Sequence, residues 1–310
     1  QSIVEELAYH CEKGLLHGKA YAYLFQAAQK LRARTLFNES LNSLNRAHAV
    51  EPRAREHLTL AEAEQKLATL LLEKAMVNRM LGHQANAREY ADAAECHVSD
   101  STPLELCARI ATEKAKQARE RYDLDETAAQ VSRALEYAEQ AGAPRLKVRP
   151  LYEAGAMDWE RGNIEKSRTT LQAALRTSRE FEVKEGMALV SNGLGVIAMC
   201  SGQSSEARSL FEQAIQAGKE NGMVEHLVNS RTNFAELCHC VGNFRKGLQL
   251  ANEGIAGARE VHYRVGVGVG LRHRAVLLCD IGRTAEAKET ALASAKIHRE
   301  MGNSQELLAS

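Results

Sequence analysis

The sequence predicts an all-α fold, a right-handed superhelical solenoid of about seven helix pairs repeating every 40 residues. The first observation behind this is composition. Of 310 residues, 45% are hydrophobic, only 5% are aromatic and four are proline. Ala, Leu, Glu, Arg and Gln, all good helix formers, are abundant. The second is that strand-type runs of alternating Val, Ile, Tyr and Thr are nearly missing. The third is a period. Gly82, Gly162, Gly202, Gly242 and Gly282 are separated by multiples of 40 residues, and Tyr122 fills the vacant slot. Seven residues before each slot stand Ala75, Ala115, Gly155, Gly195, Ala235 and Ala275; twelve after it stand Ala94, Ala134, Ala174, Ala214, Gly254 and Ser294. A chain of this length ordinarily makes about two domains, but a repeat array escapes that count because each unit packs only on its neighbours.

Each unit reads as two helices, as in "LVSNGLGVIAMCSG" followed by "QSSEARSLFEQAIQAGKENG". The slot glycine stops the first helix in a left-handed cap. Ser204 and Thr284 then offer N-caps for the second helix. Gly142, Gly222 and Gly302 form a further column of helix stops at the unit's end. The small columns mark places where two helices cross closely.

These columns resemble the tetratricopeptide repeat: a small residue within the first helix, Gly at the turn, then a small–large–small series. Gly202, Ala207, Phe211 and Ala214 carry the likeness, as do Gly162, Leu171 and Ala174. The period is similar to that of the long-helix variety in kinesin light chains and bacterial regulatory proteins. The match covers residues 69–302 and weakens at "VGNFRKGLQLANEG". A related unit lies upstream and out of phase, with Ala28 and Ala47 in the small columns and extra residues around Pro52. The expected organisation is therefore residues 1–52 as out-of-phase helices, 53–302 as the array, and 303–310 as the start of a further helix or a cap. The N-terminal run "LAYHCEKGLLHGKAYAYLFQAAQKLRARTLFNESLNSLNRA" is similar to the segment following the nucleotide-binding and winged-helix modules of bacterial STAND-type signalling ATPases. That resemblance implies an upstream nucleotide-binding domain, and a role as sensor or docking arm for an attached cyclase, kinase or DNA-binding output.

Forty basic residues balance forty acidic ones, so the basic excess usual in a nucleic-acid binder is missing. No apolar run is long enough to span a membrane, and the first residues carry no signal-peptide pattern. They also lack a starting Met, so the chain reads as a piece of something longer. Seven cysteines sit singly, without a framework of paired spacings, which fits reduced thiols in a cytoplasm.

Three motifs invite a chemical reading. "VGVGVGLRHR" carries Gly266, Gly268 and Gly270, but Leu271 occupies the third glycine position of a dinucleotide fingerprint and helices flank both sides. The stretch is expected to be a loosened helix start and a weak point. "GLLHGKA" has one residue too few between Gly14 and Gly18 for a P-loop, and Ala20 replaces the magnesium-holding hydroxyl. In "CHC", Cys238 and Cys240 lie two apart on a helix and face different ways. No nucleophile–base arrangement stands out, so no catalytic residue, metal or cofactor is assigned and the fragment is not read as an enzyme.

The tetratricopeptide resemblance implies that first helices line a concave groove that takes a protein or peptide segment. The groove-facing positions hold Arg79, then Arg109, Thr112, Lys116 and Arg119, then Arg149, Tyr152, Ala156 and Trp159. Leu189, Asn192, Val196 and Met199 follow, then Asn229, Thr232, Glu236, His239 and Arg272. Asn192 and Asn233 resemble the asparagines with which kinesin-light-chain repeats hold a peptide backbone. The Lys and Asn set that clamps a C-terminal carboxylate in chaperone-binding repeats is absent. The cations are expected to converge and meet acidic side chains of a partner, with Tyr152 and Trp159 supplying apolar contact; the alternative is a solvated face, and for Trp159 taken alone a place in the core is the default reading, with groove exposure its alternative. The function expected is thus a non-catalytic, cytoplasmic protein- or peptide-binding arm of a larger bacterial signalling protein. A small-molecule inducer sensor and a self-association scaffold are the alternatives.

Overall fold

A computed structural model describes residues 3–300, which leaves the expectations for Gly302 and for 303–310 outside the described residues. Within them the chain forms helices and turns. Helix α1 (Ile3–Lys13) precedes seven pairs: α2 (His17–Ala33) with α3 (Phe37–Ala54), α4 (Leu60–Met80) with α5 (Gln84–Cys96), and α6 (Leu104–Glu120) with α7 (Leu124–Gln140). After a 3-10 turn at Pro144–Lys147 come α8 (Val148–Glu160) with α9 (Ile164–Glu180), α10 (Lys184–Cys200) with α11 (Ser204–Glu220), α12 (Val224–Cys240) with α13 (Phe244–Glu260), and α14 (Arg264–Asp280) with α15 (Thr284–Glu300). Two compact units divide the chain, residues 1–153 and 154–310. The out-of-phase residues 1–52 lie in the first. The longer spacing there arises from α3 and α4, of 18 and 21 residues, and from the five residues 55–59 that join them.

The backbone repeats twice as often as the side chains. Helices α7, α9 and α10 through α15 are each 17 residues long. The residue that reverses the chain has positive φ at 122, 142, 162, 182, 202, 222, 242, 262 and 282. Each reversal closes the same way: the Gln203 N–H donates to the Ala198 carbonyl (2.8 Å), and the Asn243 N–H to the Cys238 carbonyl (2.7 Å). These six-to-one bonds satisfy carbonyls that a helix end would orphan. Glycine at 162, 202, 242 and 282 makes the conformation inexpensive, as the period led one to expect. At Tyr122, Glu182 and His262 a side chain is held there instead, at a cost of about 1 kcal/mol each. The expected N-caps are displaced by one residue: Gln203 precedes α11, and Ser204 and Thr284 are the first helical residues of α11 and α15. Side-chain caps form at Thr59, Asp123 and Asn243.

The small columns lie at the crossings within pairs. A Cβ on Gly195 would meet the Phe211 ring at 2.7 Å, and one on Gly155 would meet Leu171 at 2.7 Å. Ala75, Ala115 and Ala235 fill the same place in other pairs and are fully buried. Hydroxyls then tie the helices together: Ser40 Oγ donates to the Ala28 carbonyl (2.8 Å) and Ser167 Oγ to the Gly155 carbonyl (2.6 Å). In the second unit Phe211 and Phe234 stack at 6.0 Å, closed in by Leu237, Leu250 and Leu277.

One expectation is overturned. The "VGVGVG" stretch is no loosened start; α14 runs unbroken from Arg264 to Asp280, and Gly266, Gly268 and Gly270 are buried in it. They are contact residues. A Cβ on Gly268 would meet the His298 imidazole at 2.6 Å, and one on Gly270 would meet Ile255 at 2.8 Å. Ser294 Oγ donates to the Gly268 carbonyl at 2.9 Å, holding α15 against the bare backbone. This gives a test with opposed signs. Helix propensity alone makes Gly268→Ala stabilising by about 1 kcal/mol. Contact with His298 makes it destabilising, and a lowered urea midpoint is the expected result.

Candidate functional site

The first-helix faces of the two units differ in chemistry. In the first unit, Glu73, Glu113 and Glu153 stand 40 residues apart, two before each small residue, and all are buried. Glu73, on α4, takes Arg32 Nε at 2.9 Å and Arg109 Nη2 at 3.0 Å. Glu113, on α6, takes Arg79 Nε at 3.0 Å and Gln117 Nε2 at 3.1 Å. Arg79 also reaches to 3.7 Å from Glu120. Glu153, on α8, takes Arg119 Nε at 2.7 Å, with Arg149 Nε at 3.5 Å, an ion-pair rather than a hydrogen-bond distance. Arg32, Arg79 and Arg119 each sit four residues after a small-column alanine, and each reaches the glutamate of the following first helix. The result is a ladder of buried ion pairs from helix to helix.

Burial by itself would push the Glu153 carboxyl up, but Arg119, Arg149 and Lys116 outweigh it and hold the group below the ordinary carboxylate range. The structure thus brings Arg109, Lys116, Arg119 and Arg149 into one array, but around carboxylates of the same chain. Arg79 and Lys116 are buried and Arg119 is bonded. They do not stand open for an acidic partner, nor are they a solvated face, because desolvated cations need a counter-charge close by. Arg109 and Arg149 keep 40% and 25% of their side chains exposed. Tyr152 and Trp159 are half-buried on α8. The glutamates were missed although their spacing was visible: a carboxylate amid helical polar residues looks like solvated surface until its burial is known.

In the second unit the same column continues as Gly193, Asn233 and His273, and the arginine column as Trp159, Met199, His239 and Cys279. The ion ladder gives way to amides and imidazoles. Asn233 Nδ2 donates to Asn192 Oδ1 at 3.1 Å, tying α12 to α10. Asn229 lies half-buried one turn before Asn233. On α14, Arg272 Nη2 is 3.3 Å from His273 Nε2, and Glu236 Oε2 is 4.0 Å from the same nitrogen. His239 bonds Asp280. Burial, with Arg272 and His239 adding to it, lowers the His273 pKa to about 3. The imidazole is therefore neutral, and its Nε2 accepts from the guanidinium. Burial pushes Glu236 up, against the pull of Arg272 and His239.

The remaining motifs lie in the turn between α1 and α2 and at the end of α12. Gly14 opens the turn between α1 and α2 and Gly18 lies in the first turn of α2, with helix on both sides. Cys238 is buried and Cys240 exposed, and no group of three or more His, Cys, Asp or Glu is placed to hold a metal ion among the described residues.

Neither a protein-family model nor a curated protein matches the chain. Solved structures do. A Rap protein complexed with competence and sporulation factor superposes with a TM-score of 0.75 at 14% identity, over 96% of this chain and 80% of that chain. The Rap conjugation gene regulator of plasmid pLS20, in complex with the Phr* peptide, gives 0.76 at 13% identity, over 96% and 79%. The chain is a tetratricopeptide-like repeat array. A STAND protein with a tetratricopeptide repeat sensor, from Pyrococcus horikoshii, gives 0.57 at 15% identity, over 97% of this array and 47% of that chain. At these identities the fold is what is shared.

Two outcomes are expected. Glu153→Gln removes a buried carboxylate from among three cations and should cost about 3 kcal/mol, read as a lowered urea midpoint. His273 stays neutral in the fold down to about pH 3, while the unfolded chain takes up that proton near 6.5. Its contribution is therefore present above pH 6.5 and lost as pH falls towards 3. His273→Asn should flatten the stability profile between pH 6.5 and 5 relative to the parent; unchanged slopes would refute the assignment.

Proposed function

We propose that the array binds an extended peptide or protein segment along its first-helix face, as the non-catalytic sensor or docking arm of a larger bacterial signalling protein. The observation that carries this is the amide group of Asn192, Asn229 and Asn233 on α10 and α12, half-buried beside Val196 and Met199. An amide both donates and accepts, so it matches a peptide backbone whatever the side chains are. The apolar neighbours give the ligand area to bury. Arg109 and Arg149, each partly exposed, form a second contact region in the first unit, with Tyr152 as half-buried aromatic surface, and Trp159 offers half-buried aromatic surface at the start of the second unit. Arg79, Lys116 and Arg119 support it from below through the glutamate ladder. Arg272 is held against His273 as a polar edge of the amide region.

The likeness to two Rap proteins solved with a bound factor and a bound peptide supports this reading, as does the likeness to the tetratricopeptide sensor of the STAND protein. The latter also supports an attached nucleotide-binding domain. No helix among the described residues is long and apolar enough to cross a membrane. The balanced charge offers no footprint for nucleic acid.

A display library of random linear peptides should yield binders whose affinities fluorescence anisotropy can measure. The triple variant Asn192→Ala, Asn229→Ala, Asn233→Ala should lose at least about tenfold in affinity, each amide contact counting about 1 kcal/mol, with helicity unchanged. Arg109→Ala with Arg149→Ala should lose less and show a shallower salt dependence. A library that yields no binder, or a triple variant that binds like the parent, would remove the peptide reading in favour of a small ligand or a scaffold.

A further inference from the structure

Helix α1 buries Ala8 and Cys11 against its neighbours and is tied to α3 by Arg46 and Glu12. Its other side is unusual. Ile3 and Leu7 are 76% and 39% exposed there, and Leu15 and Leu16, in the turn that follows, are 69% and 51% exposed. With Tyr9, five of the large exposed apolar side chains among the described residues fall within fourteen residues. Ile3, Leu7 and His10 recur at spacings of four and three, which places them in one line along the helix, and Gly14 follows at the same spacing in the turn just past its end. That is the spacing of a seam on which a second helix packs lengthwise, and Gly14 lets a partner backbone approach closely. Exposed apolar side chains gathered on one short helix and its turn mark an interaction site rather than ordinary scatter.

The charges say which helix fits. The first turn of α1 is acidic, with Glu5 and Glu6, and the last turn is basic, with His10 and Lys13. Glu6 and Lys13 are both exposed and lie seven residues apart, on one flank of the seam. A second α1 laid antiparallel places Glu6 of each helix near Lys13 of the other, Ile3 against Gly14, and Leu7 against His10. A parallel arrangement would put Glu6 and Lys13 on the far side of the seam from their copies and forgo this match. The antiparallel order also opposes the helix dipoles. The seam is self-complementary under a two-fold axis, the commonest symmetry of soluble oligomers.

We infer that α1 is a homodimerisation helix, and that its seam is covered by α1 of a second copy of this chain in antiparallel order. The chain should sediment as a concentration-dependent dimer. Leu7→Glu should make it monomeric while its circular dichroism stays helical. Glu6→Lys and Lys13→Glu should each weaken the dimer about tenfold, since two attractive contacts become repulsive. The double variant, Glu6→Lys with Lys13→Glu, should restore it, because exchanging both charges restores the antiparallel match. Restoration is the outcome a merely sticky surface would not give. A chain that stays monomeric at the highest concentration, a dimer indifferent to Leu7→Glu, or a double variant as weak as the singles would each overturn the inference.

Discussion

The close approach of paired helices at one small residue is the constraint on which the fold depends. Where Gly195 meets Phe211 and Gly155 meets Leu171, no space for a Cβ remains, so the pair can form only if one partner gives up its side chain. That concession lets a large side chain from the second helix reach the first helix's backbone, and the serine hydroxyls then use the exposed carbonyls as acceptors. In "VGVGVG" the same device is used three times in one helix, and helix propensity is traded for contact. A pattern that looks like weakness in isolation is a packing surface once its neighbours are in place.

The second constraint is electrostatic and confined to the first unit. An arginine near the carboxyl end of each first helix reaches the glutamate of the next, so each repeat supplies the counter-charge its neighbour needs. Isolated burial of any one of these ions would be costly; their value lies in the mutual requirement, since removing one strands the others. The Lys74 ammonium shows another solution in the same unit: it is buried, 3.0 Å from His48 Nδ1 and over the Tyr90 ring. That cation helps to hold the imidazole in its neutral form, since burial and Lys74 both lower the pKa of His48.

Much of the fold could be read from the chain because its constraints act on residue size at fixed spacing. Glycine at 202 and alanine at 214 are legible as letters. What could not be read are positions where the same constraint is met by an ordinary residue. Glu182 and His262 adopt the left-handed conformation that glycine takes at other turns, and nothing local distinguishes them. The arginines were legible by position and not by chemistry. Arg109, Arg119 and Arg149 were placed on the correct helices, but charge in a sequence carries no sign of its burial. The partners that decide its meaning, Glu73 and Glu153, lie 36 and 34 residues from the arginines they bind.

The two units therefore solve one problem with different residue types. At the position where the first unit carries glutamate, the second carries Gly193, Asn233 and His273. A glutamate there demands a cation and is closed once it has one. An asparagine keeps unused capacity: with Asn233 donating one N–H to Asn192, the two amides still hold a second N–H on Asn233, both hydrogens on Asn192 and carbonyl lone pairs. Binding another chain's backbone needs such residual donors and acceptors, spaced a turn apart and partly out of water. In a ladder of matched ions that capacity is already consumed. Replacing the ladder by amides leaves a first-helix face with hydrogen-bonding groups to spare, which is why the proposed peptide site rests first on α10 and α12 rather than on the arginines.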